Sequence, residues 1–123
     1  MVRLFVFCSA FFGFSAVALG AFAAHGLKGR LPAESLAVLQ TGVNYQMWHA
    51  LALLAVALLH RQQPGALLGT AGWAFILGVL LFSGSLYLMT LGGLKLGLVT
   101  PAGGVCFLIG WACLAVSALK LAR

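Results

Sequence analysis

Apolar residues run through this chain in four long blocks with only short polar breaks between them, and they follow neither the alternation of a half-buried strand nor the single stripe of a surface helix. The blocks cover about residues 4–24, 43–59, 67–91 and 98–119. Each is close to the roughly 20 residues that carry a helix across about 30 Å of hydrocarbon. In lipid, backbone N–H and C=O groups must be paired within the segment, so such blocks are helical; the dyad pattern of barrel strands is missing. The expected architecture is all-α, a single domain over residues 1–123 with helices at about 4–24, 33–60, 67–91 and 100–119.

The breaks carry turn chemistry. They are His25-Gly26-Leu27-Lys28-Gly29-Arg30, His60-Arg61-Gln62-Gln63-Pro64-Gly65 and Gly92-Gly93-Leu94-Lys95. Connections this short force neighbouring helices antiparallel, which predicts an up-down bundle of four transmembrane helices. Thr100 ahead of Pro101 reads as a hydroxyl N-cap with proline at the first helical position. Pro32 with Glu34 in the first turn opens the second helix before its apolar block. Leu36, Leu39 and Val43 then mark an apolar stripe with Glu34, Gln40 and Thr41 off it, which predicts an interfacial start to that helix, in the head-group plane before it turns inward. His25 beside Gly26 reads as a C-terminal cap with a left-handed glycine.

Composition turns the pattern into a statement about solvent. Apolar side chains make up 63% of the 123 residues and charged ones 7%, whereas soluble domains hold roughly 45–50% and about 25%. The solvent is lipid, and membrane lipids are the first expected partners. The net charge of +6 comes from Arg3, Lys28, Arg30, Arg61, Lys95, Lys120 and Arg123 against Glu34 alone. These cations occur singly or in pairs between apolar blocks, so they read as interfacial anchors that favour anionic head groups, not as a nucleic-acid surface. Arg3, Arg61, Lys120 and Arg123 fall at one end of the bundle and Lys28, Arg30 and Lys95 at the other, a small excess that places both termini in the cytoplasm. The first block also resembles a secretion signal, with Arg3 ahead of it and Ala21, Ala23 and Ala24 near its end, but it outruns the 7–15 residue core of such signals and is expected to stay as a span. Cys8, Cys106 and Cys113 lie inside apolar blocks without CxxC spacing and read as small packing residues.

Two polar arcs cross the apolar blocks. Tyr45, Gln46 and His49 share one face of the second helix, and Ser83, Tyr87 and Thr90 fall within about 60° of one another on the third. The arcs are expected to face each other. Two uses stand open: hydrogen-bonded adhesion between helices, or a ligand or proton path around Tyr45, His49 and Tyr87. His49 is expected to be neutral, hydrogen-bonded to Tyr45 or Gln46 on its own helix or to Tyr87 across the bundle. His25 and Lys28 form a candidate loop site. A two-histidine metal or haem site from His25 and His49 has no CxxCH, no carboxylate cluster and no shared helix face behind it, so no metal and no cofactor is expected. Small residues four apart, at Ala16, Gly20 and Ala24, at Gly65 and Gly69, and at Ala102, Cys106 and Gly110, mark close-approach faces. Gly13, Gly20, Gly69, Gly84 and Gly110 are the glycines expected at helix contacts, either within the bundle or in a homo-oligomer.

A weak echo relates the halves, with Phe14-Ser15-Ala16 against Phe82-Ser83-Gly84 and Gly26-Leu27-Lys28 against Gly93-Leu94-Lys95. A clearer signal comes from the runs Gly20 to Lys28, Thr41 to Leu51, Leu81 to Tyr87, and Thr100 to Gly104 with Phe107 to Trp111. In this order, over nearly the whole chain, they resemble the domain of unknown function 423 family, bacterial inner-membrane proteins with eukaryotic relatives named transmembrane protein 256. The resemblance implies a small multi-pass protein of the bacterial inner membrane. It brings no reaction and no catalytic residue, although its motifs fall on His25, Asn44, Tyr45, Gln46, His49, Ser83, Ser85, Tyr87, Thr100 and Pro101.

The expected function is that of a non-enzymatic membrane protein acting through its helix-packing surfaces on a protein partner or on lipid. A small transporter or channel component is the alternative, and a cofactor-binding membrane protein the third. An embedded enzyme ranks last, because the sole carboxylate, Glu34, falls outside the apolar blocks.

Overall fold

A computed structural model of the protein describes residues 1–121, so Arg123, counted above among the basic anchors, lies outside the described residues. Four helices are long and apolar enough to cross a membrane: α1 Val2–His25, α2 Ala33–Gln62, α3 Ala66–Gly92 and α4 Val99–Ala118. The turns between them are as short as expected, and successive helices run antiparallel. α1 packs along α2, α2 along α3 and α3 along α4. The most apolar stretches of α2 and α3 are 50% and 39% buried, against 22% for α1 and 17% for α4. The cross-section is therefore a rhombus with α2 and α3 on its short diagonal and α1 and α4 at its far corners.

Burial follows from which residues can be hidden by their own kind. Phe5, Phe12, Leu53, Val56, Phe75, Val79 and Phe107 form the centre. Phe7, Phe11, Phe14, Leu51, Leu58, Leu80, Leu98 and Leu108 point away from it, an outer surface that only a hydrocarbon solvent leaves unpenalised. α2 runs unbroken for 30 residues, about 45 Å at 1.5 Å per residue, longer than the hydrocarbon it crosses. Its first turns belong to the same continuous helix as the span. Leu39 and Val43 are buried there, and Glu34, Gln40 and Thr41 are exposed.

Close approach between helices is set by aromatic rings seated on glycines. A Cβ built on Gly72 would run into the Phe5 ring, one on Gly78 into Phe107, and one on Gly110 would lie 2.5 Å from Phe75 Cε1. At Gly103 the obstacle is the Phe82 backbone itself. Gly69 faces Met1 Sδ at 3.1 Å, and Gly20 faces Val43 in ordinary contact at 3.4 Å. Gly13 and Gly84 need correcting. Nothing lies within 4 Å of a Cβ at either, so they are not sites of close approach. The rings that need room lie on other helices, and position along one helix does not show which glycines they meet.

Two local expectations also change. Gly26 is right-handed (φ −87°), and the left-handed residues of the turns are Gly29 (φ 85°) and Gly93 (φ 68°). The Gly26 N–H closes on Phe22 O at 2.6 Å, so α1 simply runs on into its turn. Thr100 is not an N-cap: α4 begins at Val99 after Leu98, and the Thr100 hydroxyl bonds Ser85 across the bundle. Finally, α3 contains a π-turn over Val79–Ser83, in which the Gly84 N–H reaches back to Val79 O.

Candidate functional site

The two polar arcs do meet, but they divide into separate networks. The first centres on Gln46, which is buried. Its amide nitrogen donates to Phe12 O at 2.8 Å and to Ser15 Oγ at 2.6 Å, both on α1. Its carbonyl oxygen accepts from the Tyr87 hydroxyl of α3 at 2.6 Å. One amide thereby ties three helices together. Ser15 in turn donates to Phe11 O, the preferred route for a hydroxyl inside a span. Nearby, Ser83 donates to Gly42 O at 2.7 Å, and the Gly42 position is filled by the Tyr87 ring, 2.9 Å from where a Cβ would sit. Thr90 stays on its own helix, bonding Leu86 O.

The second network centres on His49, which faces α4 instead. Its Nδ1 lies 2.7 Å from Tyr45 O and its Nε2 accepts the Trp111 indole N–H at 3.0 Å. A carbonyl can only accept and an indole N–H can only donate, so the ring is neutral with its proton on Nδ1. The Phe107 ring stacks on it with centroids 3.6 Å apart and planes 10° from parallel, and Phe75 meets it edge-on. The expected bond to Tyr45 is present, through its backbone oxygen, whereas the alternatives Gln46 and Tyr87 belong to the other network. Trp111 was missed as a partner. The signal for it was an indole donor placed in an apolar block, where an N–H needs an acceptor.

Further polar side chains in the spans also end on protein atoms: Ser9 on Ala50 O, Ser85 on Thr100, Gln40 on Asn44 and Ser117 on Leu114 O. His25 is exposed at the end of α1, outside the 220 Å³ hollow that Lys28 lines with Ala23, Ala24, Leu36 and Gln40. The structure does not join the two into one site. His25 and His49 are likewise separate, and among the described residues no three His, Cys, Asp or Glu side chains converge.

Beside the His49 network, the cleft between α2 and α4 opens sideways, with a volume of about 450 Å³. Tyr45, Trp48, Phe107, Leu108 and Trp111 line it, and Gly104 gives it depth. Trp48, Leu108 and Trp111 turn about half or more of their surface outward. His49 forms its floor, already bonded at both nitrogens. Replacing His49 by Gln, which still offers Trp111 an acceptor, is expected to keep thermal stability in detergent close to that of the parent. Replacing it by Leu leaves the indole donor unpaired and is expected to cost roughly 1–3 kcal/mol. Equal losses in both variants would show that ring stacking, not the Trp111 bond, holds His49.

Four antiparallel spans, polar groups satisfied inside and aromatic residues facing lipid define a multi-pass α-helical membrane protein. The chain belongs to the family described as "Protein of unknown function (DUF423)", whose model matches residues 19–104. Among its relatives, the UPF0382 membrane protein YwdK of Bacillus subtilis is 45% identical, over 97% of this chain and 98% of that protein. A UPF0382 membrane protein of Haemophilus influenzae is 48% identical over 88% and 87%. The UPF0382 inner membrane protein YgdD of Escherichia coli is 42% identical over 98% and 93%. No solved structure matches the chain.

Proposed function

We propose that this chain is a non-enzymatic protein of the bacterial inner membrane that acts through its lateral surfaces on a protein partner or on lipid, chiefly at the aromatic cleft between α2 and α4. A division of labour among side chains carries this reading. Gln46, His49, Ser83, Tyr87 and Thr90 close on one another, on neighbouring side chains and on helix carbonyls, whereas the concave face between α2 and α4 presents Trp48, Leu108 and Trp111 to its surroundings. Groups already bonded in this way hold helices together; rings half-open to lipid offer area to another molecule.

Photo-cross-linking residues at Trp48 and at Leu108 are expected to capture one discrete adduct in native membranes, while the same residue at Leu58, exposed on the lipid face of α2, gives only diffuse products. Equal labelling at all three positions would remove the cleft from the account.

The inner-membrane placement follows YgdD, and both termini belong in the cytoplasm because Arg3, Arg61 and Lys120 gather at their end. A reporter fused after the C-terminus is expected to be active only in its cytoplasmic form. Activity of a periplasmic reporter there would reverse the orientation.

A further inference from the structure

We propose that the end of the bundle where α1 begins and α2 finishes is a binding site for one anionic phospholipid, its phosphate held by Arg3 and Arg61 and an acyl chain lying along Phe7, Phe11 and Phe14. An open cavity of about 620 Å³ lies there, lined by Met1, Val2, Arg3, His60, Arg61 and Pro64. Two guanidinium groups from different helices border one space, and guanidinium forks match the oxygens of a phosphodiester in pairs.

Charge favours an anion, and among the described residues no carboxylate side chain lies at this end to compete for it. Among the described residues the only carboxylate side chain is that of Glu34, in the first turn of α2. Arg61 sits in the last turn of the same helix, about 40 Å away at 1.5 Å per residue, several times the ~8 Å screening length of physiological salt. Lys120 adds to the same end. The opposite end carries Lys28, Arg30 and Lys95 but shares them with Glu34.

The apolar part of the site argues for a lipid over a free phosphate. Spacings of four, four and three place Arg3, Phe7, Phe11 and Phe14 on one face of α1, within about 80° at 100° per residue. That face looks outward: Phe7 is 67% exposed, Phe11 57% and Phe14 77%. A cation followed by a ladder of rings, about 16 Å from Arg3 to Phe14 at 1.5 Å per residue, matches a head group and the upper part of its chain. This surface is separate from the cleft between α2 and α4, so the proposal stands or falls independently of the function assigned to that cleft.

The full-length chain in mild detergent would be examined by native mass spectrometry against an equimolar mixture of phosphatidylglycerol and phosphatidylcholine, with inorganic phosphate as a separate arm. One phosphatidylglycerol per chain is expected to be retained, with a preference of about tenfold or more, the order expected from two arginines at an anionic head group. R3Q/R61Q is expected to abolish that preference, K28Q/R30Q to leave it intact, and F7A/F11A to weaken retention without restoring phosphatidylcholine. The proposal is overturned by equal retention of the two lipids, by loss of preference in K28Q/R30Q, by a preference that survives R3Q/R61Q, or by inorganic phosphate displacing the lipid at equal concentration. Should R3Q/R61Q fail to fold, the parent chain still decides through its lipid preference and the phosphate arm.

Discussion

Replacing Gly103 by Ala is expected to destabilise the bundle more than any other single methyl addition on α4. The added Cβ would lie 2.7 Å from Phe82 Cα and closer still to its nitrogen. At Gly110 the obstacle is the Phe75 ring, which has a side-chain torsion to turn. A backbone has none, and relief at Gly103 requires moving α3 away from α4 along their whole contact. Overpacking of a well-filled core typically costs 1–3 kcal/mol, and this site belongs at or above the top of that range. Thermal unfolding in detergent is the measurement. Gly13→Ala, Gly84→Ala and Gly104→Ala are the controls: a Cβ at each meets nothing within 4 Å, and alanine's better helix propensity should leave stability level or slightly raised. If Gly103→Ala unfolds no earlier than Gly104→Ala, the described approach of α3 and α4 is wrong.

Gln46→Leu comes next in expected effect. The change keeps approximate size but breaks three bonds that reach two other helices. At an average of about 0.6 kcal/mol for a hydrogen bond between membrane helices, the sum is about 2 kcal/mol. Unlike the methyl at Gly103, the loss here is partly recoverable. Most of the damage beyond the lost bonds is the unpaired Tyr87 hydroxyl, so adding Tyr87→Phe to Gln46→Leu should restore stability in part, although Tyr87→Phe alone destabilises. Unfolding measured on both singles and the double gives the coupling directly. Strictly additive losses would mean that Gln46 and Tyr87 do not share a bond.

The four spans were legible because the constraint behind them is one-dimensional: hydrocarbon thickness fixes a length, and the chain carries four apolar blocks of that length separated by Gly- and Pro-marked breaks. The predicted boundaries and the observed ones differ by one or two residues. The arcs were legible as faces, since Tyr45, Gln46 and His49 are neighbours on any helix. Which neighbour each would choose was not. Gln46 and His49 diverge by about 60° at 100° per residue, and in a rhombic bundle that angle separates the side toward α1 and α3 from the side toward α4. Trp111 lies 62 positions from His49, and nothing local in either block marks the pairing. The glycines were legible in part for the same reason. Gly20, Gly69 and Gly110 meet neighbours and Gly13 and Gly84 do not, and nothing in the block around Gly103 marks where Phe82 comes down.

The π-turn at Val79–Ser83 is, in effect, an insertion written into a helix. One residue more than an α-turn holds is stored there, so everything from Ser83 onward is rotated by about one residue's angle, 100°, relative to a continuous α-helix. Ser83 owes its aim at Gly42 O, and Tyr87 its aim at Gln46, to that stored residue. Removing any one residue from this stretch would let the helix close into regular turns, with no break in its backbone bonding and a shortening of only about 1.5 Å. The helix would still span, yet both hydroxyls would swing off α2. The length of this five-residue stretch therefore sets the aim of side chains that lie beyond it, separately from what its own side chains contact.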